Sequence, residues 1–127
     1  FDGADLRGAS LRGAQLENAS FDDAWLERAD LTAALLITNS FRGAPLSEAR
    51  LDQAQLINCD FIDANLSDSS LRGAEIVNTG FTDSNLTRTD LQGALLTNVD
   101  FDTARLSDAT WLDGQRCSDD STSVCQR

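Results

Sequence analysis

The side chains that carry most enzymatic chemistry are missing from this chain. Histidine, lysine, methionine and tyrosine are absent, and the charged set is 17 Asp, 4 Glu and 10 Arg, giving a net charge of −11. The usual general bases and activated nucleophiles are therefore unavailable. Serine and aspartate are plentiful, but they recur at fixed intervals along the chain instead of clustering as a catalytic set would. The chain is expected to be non-enzymatic, with no cofactor. Calcium-loop spacing is also absent, so the aspartates give no specific metal site.

Three cysteines remain as reactive groups. Cys117 and Cys125 stand eight apart in a short polar segment near the C-terminus, and Cys59 lies far upstream. A Cys117–Cys125 disulfide is the expected pairing, against the alternative of two free thiols. A metal site would need more ligands than these two sulfurs and a chain without histidine can supply. A disulfide implies an oxidising compartment. Cys59 occupies a small-residue slot of the repeat described next, where a thiol acts as a small apolar group. It is expected to be free and inert.

The element that must position all of these residues is a repeat. From Phe1 to Trp111 a large apolar residue returns every five positions without a gap, as in Leu6, Leu11, Leu16, Phe21 and Leu26. Every phenylalanine belongs to a second period of twenty: Phe1, Phe21, Phe41, Phe61, Phe81 and Phe101. A period of five fits neither regular element, since it rotates a helical side chain by about 140° and flips a strand side chain to the opposite face. It fits a chain that turns a quarter circle per pentad, so that four pentads close one coil. Residue n+20 then lies above residue n, and the six rings stack as one core column. This predicts an all-β, four-sided parallel solenoid of about five and a half coils. At a strand-like spacing of about 4.8 Å, the rod is roughly 25 Å long.

A small residue precedes each large one by two positions, as at Ala4, Ala9, Ala14, Ala24 and Ala29. Asn39, Cys59, Thr79 and Val99 break this rule at intervals of twenty, so one side of the tube tolerates a bulkier inner residue. The alanine–polar–leucine pattern, as in Ala4-Asp5-Leu6-Arg7-Gly8 and Ala64-Asn65-Leu66-Ser67-Asp68, resembles the pentapeptide-repeat family. That resemblance implies a right-handed quadrilateral β-helix over residues 1–111, with residues 112–127 as a C-terminal cap. The Trp111, Asp113-Gly114 and two-cysteine ending resembles the caps of exported bacterial and thylakoid-lumen members. It implies a periplasmic or lumenal location, with the cytoplasm as the alternative.

Function must lie on outward positions. The side preceding the phenylalanines carries Glu17, Ile37, Ile57, Val77 and Thr97 just after its inward residues, with Leu35 and Leu95 at the flanking position and Ile62 around the corner. The apolar stripe Leu35, Ile37, Ile57, Val77 and Leu95 is the candidate interface, for a protein partner or self-association. The bland alternative is β-propensity, which places branched residues on strands even where exposed. Trp25 is an isolated outward aromatic. Opposite signs in neighbouring coils, as at Asp30 with Arg50 and Asp52 with Arg72, read as surface ion pairs. Asn18, Asn58, Asn78 and Asn98, interrupted by Thr38, read as a turn ladder bonding coil to coil.

The phenylalanine side carries an acidic stripe of Asp2, Asp22, Asp23, Asp60, Asp63, Asp83, Asp100 and Asp102, interrupted by Arg42. Its sign disfavours direct binding of nucleic acid, and no segment is long and apolar enough to insert in a membrane. Family members that resemble B-DNA bind gyrase, so the resemblance makes an acidic DNA mimic the second functional expectation. A third is a structural rod within a larger precursor, because the chain begins inside a repeat without an initiator methionine.

Overall fold

The computed structural model describes all 127 residues. Three-residue strands recur every twenty positions: β1 Gln15–Glu17, β2 Leu35–Ile37, β3 Gln55–Ile57, β4 Glu75–Val77 and β5 Leu95–Thr97. They pair in parallel and in order, with Leu16, Leu36, Leu56, Ile76 and Leu96 in one register column. Four complete turns lie between β1 and β5, and the pentads outside them add partial turns. The other three sides pair by single bridges at the same twenty-residue offset, as in Asp5 with Trp25, Ser10 with Asp30, and Ser20 with Ser40. The fold is a four-sided β-solenoid.

Only 8 of the 83 backbone hydrogen bonds lie within strands, so turns and bridges hold the coil together. At most corners the amide of the small residue donates to the carbonyl three residues earlier, as Ala24 to Phe21 at 3.0 Å and Ala29 to Leu26 at 3.0 Å. The third residue of each such turn sits in the left-handed region. Glycine occupies that place at Gly43 (φ 66°), but Arg28, Ala33 and Glu48 hold φ of 59–60° there despite a Cβ. The cost of this conformation for an L-residue is about 1–2 kcal/mol, which the closed coil must offset through its core.

The core is a set of columns. Phe21, Phe41, Phe61 and Phe81 are at most 1% exposed, and their rings stack at centroid distances of 4.7–5.1 Å. Trp111 meets Phe101 edge-on at 5.6 Å and ends the stack. At the other end Phe1 stacks on Phe21 at 5.0 Å but is 65% exposed.

Asn39, Cys59 and Thr79 differ from a merely tolerated bulge. On the strand side the corner lacks the turn hydrogen bond, and these side chains replace it from the coil above. Asn39 accepts from the Ala19 amide at 2.8 Å and donates to the Leu16 carbonyl at 2.9 Å. Thr79 accepts from the Cys59 amide at 3.3 Å and donates its one hydroxyl proton to the Val77 carbonyl at 3.0 Å, with the Leu56 carbonyl 3.3 Å away. The Cys59 thiol reaches the Leu36 carbonyl at 3.3 Å. Cys59 is free and buried, and that burial pushes its thiol above the ordinary range.

After Thr110 the chain reverses. A turn at Trp111–Gly114 leads into antiparallel bridges from Arg116 to Thr110 and from Thr122 to Arg105. Cys117 and Cys125 are joined by a disulfide, and Cys117 is packed into the core cluster at 1% exposure. The cap accepts from the Leu106 amide through Ser121 at 2.9 Å and donates from Cys117 to Ala109 at 2.8 Å. These bonds cover the edge that an unfinished coil would expose.

Candidate functional site

Strand alternation aims the central residue of each three-residue strand into the tube and its neighbours outward. In β2 the central Leu36 is buried, while Leu35 and Ile37 are partly exposed. In β3 and β4 Ile57 and Val77 are likewise partly exposed beside the buried Leu56 and Ile76. Leu95 in β5 is 67% exposed. The parallel register puts Ile37, Ile57 and Val77 in one outer column and Leu35 and Leu95 in the other. All five residues of the stripe therefore lie on one outer side.

The charge on this side is of one sign. Glu17 ends β1 in the first column, and Glu75 opens β4 in the second; both are exposed. Gln15, Gln55 and Thr97 complete the strand positions, and no cation is among them. Gln15, Leu16, Glu17, Leu35 and Ile37 line a shallow hollow at the N-terminal end of the stripe. At the corner next to it, Asn18, Thr38, Asn58, Asn78 and Asn98 all have φ of 49–55°. Only Asn98 bonds its neighbour through side chains, donating to Asn78 at 2.8 Å. The expected asparagine ladder is thus mainly a left-handed backbone column, which asparagine tolerates and Thr38 also adopts.

The phenylalanine side is acidic, but five of the eight aspartates of its stripe have internal partners. Asp2 accepts from the Ser20 hydroxyl, and Asp22 from the Ser40 hydroxyl and the Arg42 amide. Asp60 accepts from the Ile62 amide at 2.8 Å and the Arg42 guanidinium at 3.3 Å. Asp83 takes the Thr103 hydroxyl, and Asp100 takes the Asp102 amide at 2.9 Å. Asp23, Asp63 and Asp102 are exposed without hydrogen-bond donors. Sequence reasoning missed this clamp. Its signal is an aspartate followed eighteen residues later by serine, seen again where Ser70 donates to Asp52.

On the other two sides, opposite charges pair across coils. Arg12 reaches Asp30 at 3.1 Å, Arg72 reaches Asp90 at 2.8 Å, and Arg88 reaches Asp68 at 2.6 Å. Asp30 contacts Arg12 instead of Arg50, and Asp52 receives the Arg72 backbone amide at 3.1 Å while that guanidinium goes to Asp90. The Thr32 hydroxyl and amide, with Arg12, hold the Asp30 carboxyl down at about 2 against partial burial. Arg88 lowers Asp68 in the same way. Trp25 is 48% exposed and carries the Arg7 guanidinium 4.6 Å from its ring centre. Arg7 also grips Asp5, whose carboxyl falls to about 2. Solvent screens such exposed pairs, so they add little to stability.

Chemically, the arrangement offers broad sides with shallow surface hollows around a filled tube, a geometry suited to contact recognition. No group of three or more acids and thiols converges anywhere on the molecule. No helix is long and apolar enough to cross a membrane.

A family model described as a pentapeptide repeat region matches residues 36–111, and a model of eight pentapeptide repeat copies matches residues 1–36. Among solved structures, HetL of Nostoc sp. strain PCC 7120, a pentapeptide repeat protein involved in heterocyst differentiation regulation, is 31% identical. The likeness has a TM-score of 0.62 and covers 91% of this chain and 56% of HetL. Full-length QnrB1, a plasmid-mediated fluoroquinolone resistance protein, is 17% identical with a TM-score of 0.59, over 84% of this chain and 60% of QnrB1. At that identity the likeness concerns the fold alone. A pentapeptide repeat protein of the Arabidopsis thaliana thylakoid lumen is 29% identical over 85% of this chain and 72% of its own, with a TM-score of 0.38. No curated protein sequence matches the chain.

Proposed function

The chain belongs to the pentapeptide-repeat family, and from that premise we propose that it is a non-catalytic protein-interaction module whose working surface is the strand side. One observation carries the reading: Ile37, Ile57 and Val77 stack in register on the outside, flanked by Leu35 and Leu95. A contiguous outward apolar strip on a rod with net charge −11 is the kind of surface that marks an interface. The coils of residues 1–111 serve as the rigid platform, and residues 112–127 close its end. The Cys117–Cys125 disulfide supports an exported protein working in an oxidising compartment.

The test replaces Ile57 by Asp and compares sedimentation and partner pull-down with the parent. Ile57 is outside the buried core, so circular dichroism and thermal unfolding should change little. Loss of self-association or of a specific partner is the expected result. Identical mass and an identical pull-down would remove the strand side from consideration. Inhibition of gyrase supercoiling at micromolar protein would instead place the work on the acidic side.

A further inference from the structure

The strand side also restricts what kind of partner can cover it. Its five strands are three residues wide and span four inter-coil steps. At about 4.8 Å per step and 3.3 Å per residue, the patch is roughly 20–25 Å long and 10 Å across with side chains. That is about 250 Å², far below the roughly 800 Å² per partner of a stable globular interface. Two copies laid face to face would bury no more. The outline matches a single α-helix, about 10–12 Å in diameter and some 15 residues long.

Charge sets the rest of the specification. The only ionised groups on the five strands are Glu17 in β1 and Glu75 in β4, on opposite margins of the stripe. They are three coils apart, about 14 Å along the rod, which is nine or ten residues of helix. Helical positions i and i+10 lie about 80° apart, on the two edges of one face, with apolar residues at i+3 and i+7 between them. A second copy of this side offers two more carboxylates and no cation, so it is the wrong sign.

We infer that the strand side is a docking strip for one basic amphipathic helix laid along the rod. Its apolar face covers Leu35, Ile37, Ile57, Val77 and Leu95, and cations about ten residues apart meet Glu17 and Glu75. Recognition is of the helix-on-apolar-strip kind, read as spaced anchors. The net charge of −11 draws such a segment in and makes the association salt-sensitive. This rests on the strand side being the working surface, and it adds the class of occupant.

The experiment uses four synthetic sixteen-residue peptides with the full protein. One is helical and amphipathic with Arg at positions 3 and 13; one carries Glu there instead; one is a scramble of the first; one has a central proline. Binding is followed by fluorescence anisotropy, and the site by amide shifts. The expected result is saturable binding of the Arg helix alone, with shifts confined to β1–β5. Ile57→Asp should weaken it at least about 10-fold, consistent with loss of a central anchor. Glu17→Gln and Glu75→Gln should weaken it about 2–5-fold each, as for exposed ion pairs. Equal binding by the scramble, shifts on Asp23, Asp63 and Asp102, or no saturable binding by any peptide would each overturn the helix. If the peptides fail but Ile57→Asp still abolishes a dimer in sedimentation, the strand side stands and a second copy is its occupant. If both are unaffected, the surface reading falls as well.

Discussion

The exchange of threonine and valine between two adjacent coils gives the most discriminating prediction about stability. Thr79 and Val99 occupy the same column, twenty residues apart, and have nearly the same shape. Thr79 is 1% exposed, accepts from the Cys59 amide and donates to the Val77 carbonyl. Val99 offers the Thr79 amide no acceptor, and that amide makes no hydrogen bond. Thr79→Val therefore orphans a buried N–H, which costs about 1–3 kcal/mol, while the added methyl returns up to about 0.8 kcal/mol. A net loss of about 1 kcal/mol is expected. Val99→Thr should do the reverse and stabilise by about 0.5–1 kcal/mol, because it supplies the missing acceptor. In a chain of this length each kcal/mol is about 3–5 °C in Tm. Urea unfolding followed by circular dichroism reads both signs, and hydrogen exchange of the Cys59 and Thr79 amides reads them locally. If both substitutions shift stability in the same direction, the column merely accommodates bulk and the capping argument fails.

Three further outcomes follow from the packing and the charges. Phe61→Ala removes a fully buried ring stacked at 4.7 and 5.1 Å on both sides, and should cost about 3–5 kcal/mol in denaturant unfolding. Reducing the Cys117–Cys125 bond should lower stability by about 2–3 kcal/mol on the loop-entropy scale; it should speed exchange of the Leu106 amide, which the cap holds, and open cleavage at Arg116. Asp5, Asp30 and Asp68 have folded pKa values below their unfolded ones, so the unfolded chain binds more protons in acid. Their stabilising contribution is present above about pH 4 and lost as pH falls toward 2. The melting temperature should stay level from pH 7 to 5 and then drop, and Asp30→Asn should flatten that drop.

Much of the architecture was legible because inward residues obey one rule with few exceptions. The Phe1–Phe101 period placed the ring stack and the four sides without any reference to local propensity. The outward orientation of Ile37, Ile57 and Val77 followed from the same register. What the residue pattern hid was the reason for its own exceptions. Asn39 and Thr79 looked like tolerated bulk, because the amide left free where a strand replaces the tight turn becomes visible only in the hydrogen bonding. The ion pairs were displaced for a related reason. Arg72 is drawn from Asp52 to Asp90 because a long side chain chooses among carboxylates in two coils, whereas the backbone register fixes only its Cα. Glu17 was read only as one end of the outward column and Glu75 was not singled out, since their meaning depends on the absence of any cation across all five strands.

The proposal that the strand side is the working surface is tested most directly by photocrosslinking from one position on each side of the rod. A benzophenone amino acid placed at Ile57, Asp63, Ser67 or Gln53 samples the strand, acidic and two remaining sides in turn, in extract of the native host. A discrete adduct from position 57 and none from the other three is the predicted result. An adduct from position 63 with none from 57 would contradict it.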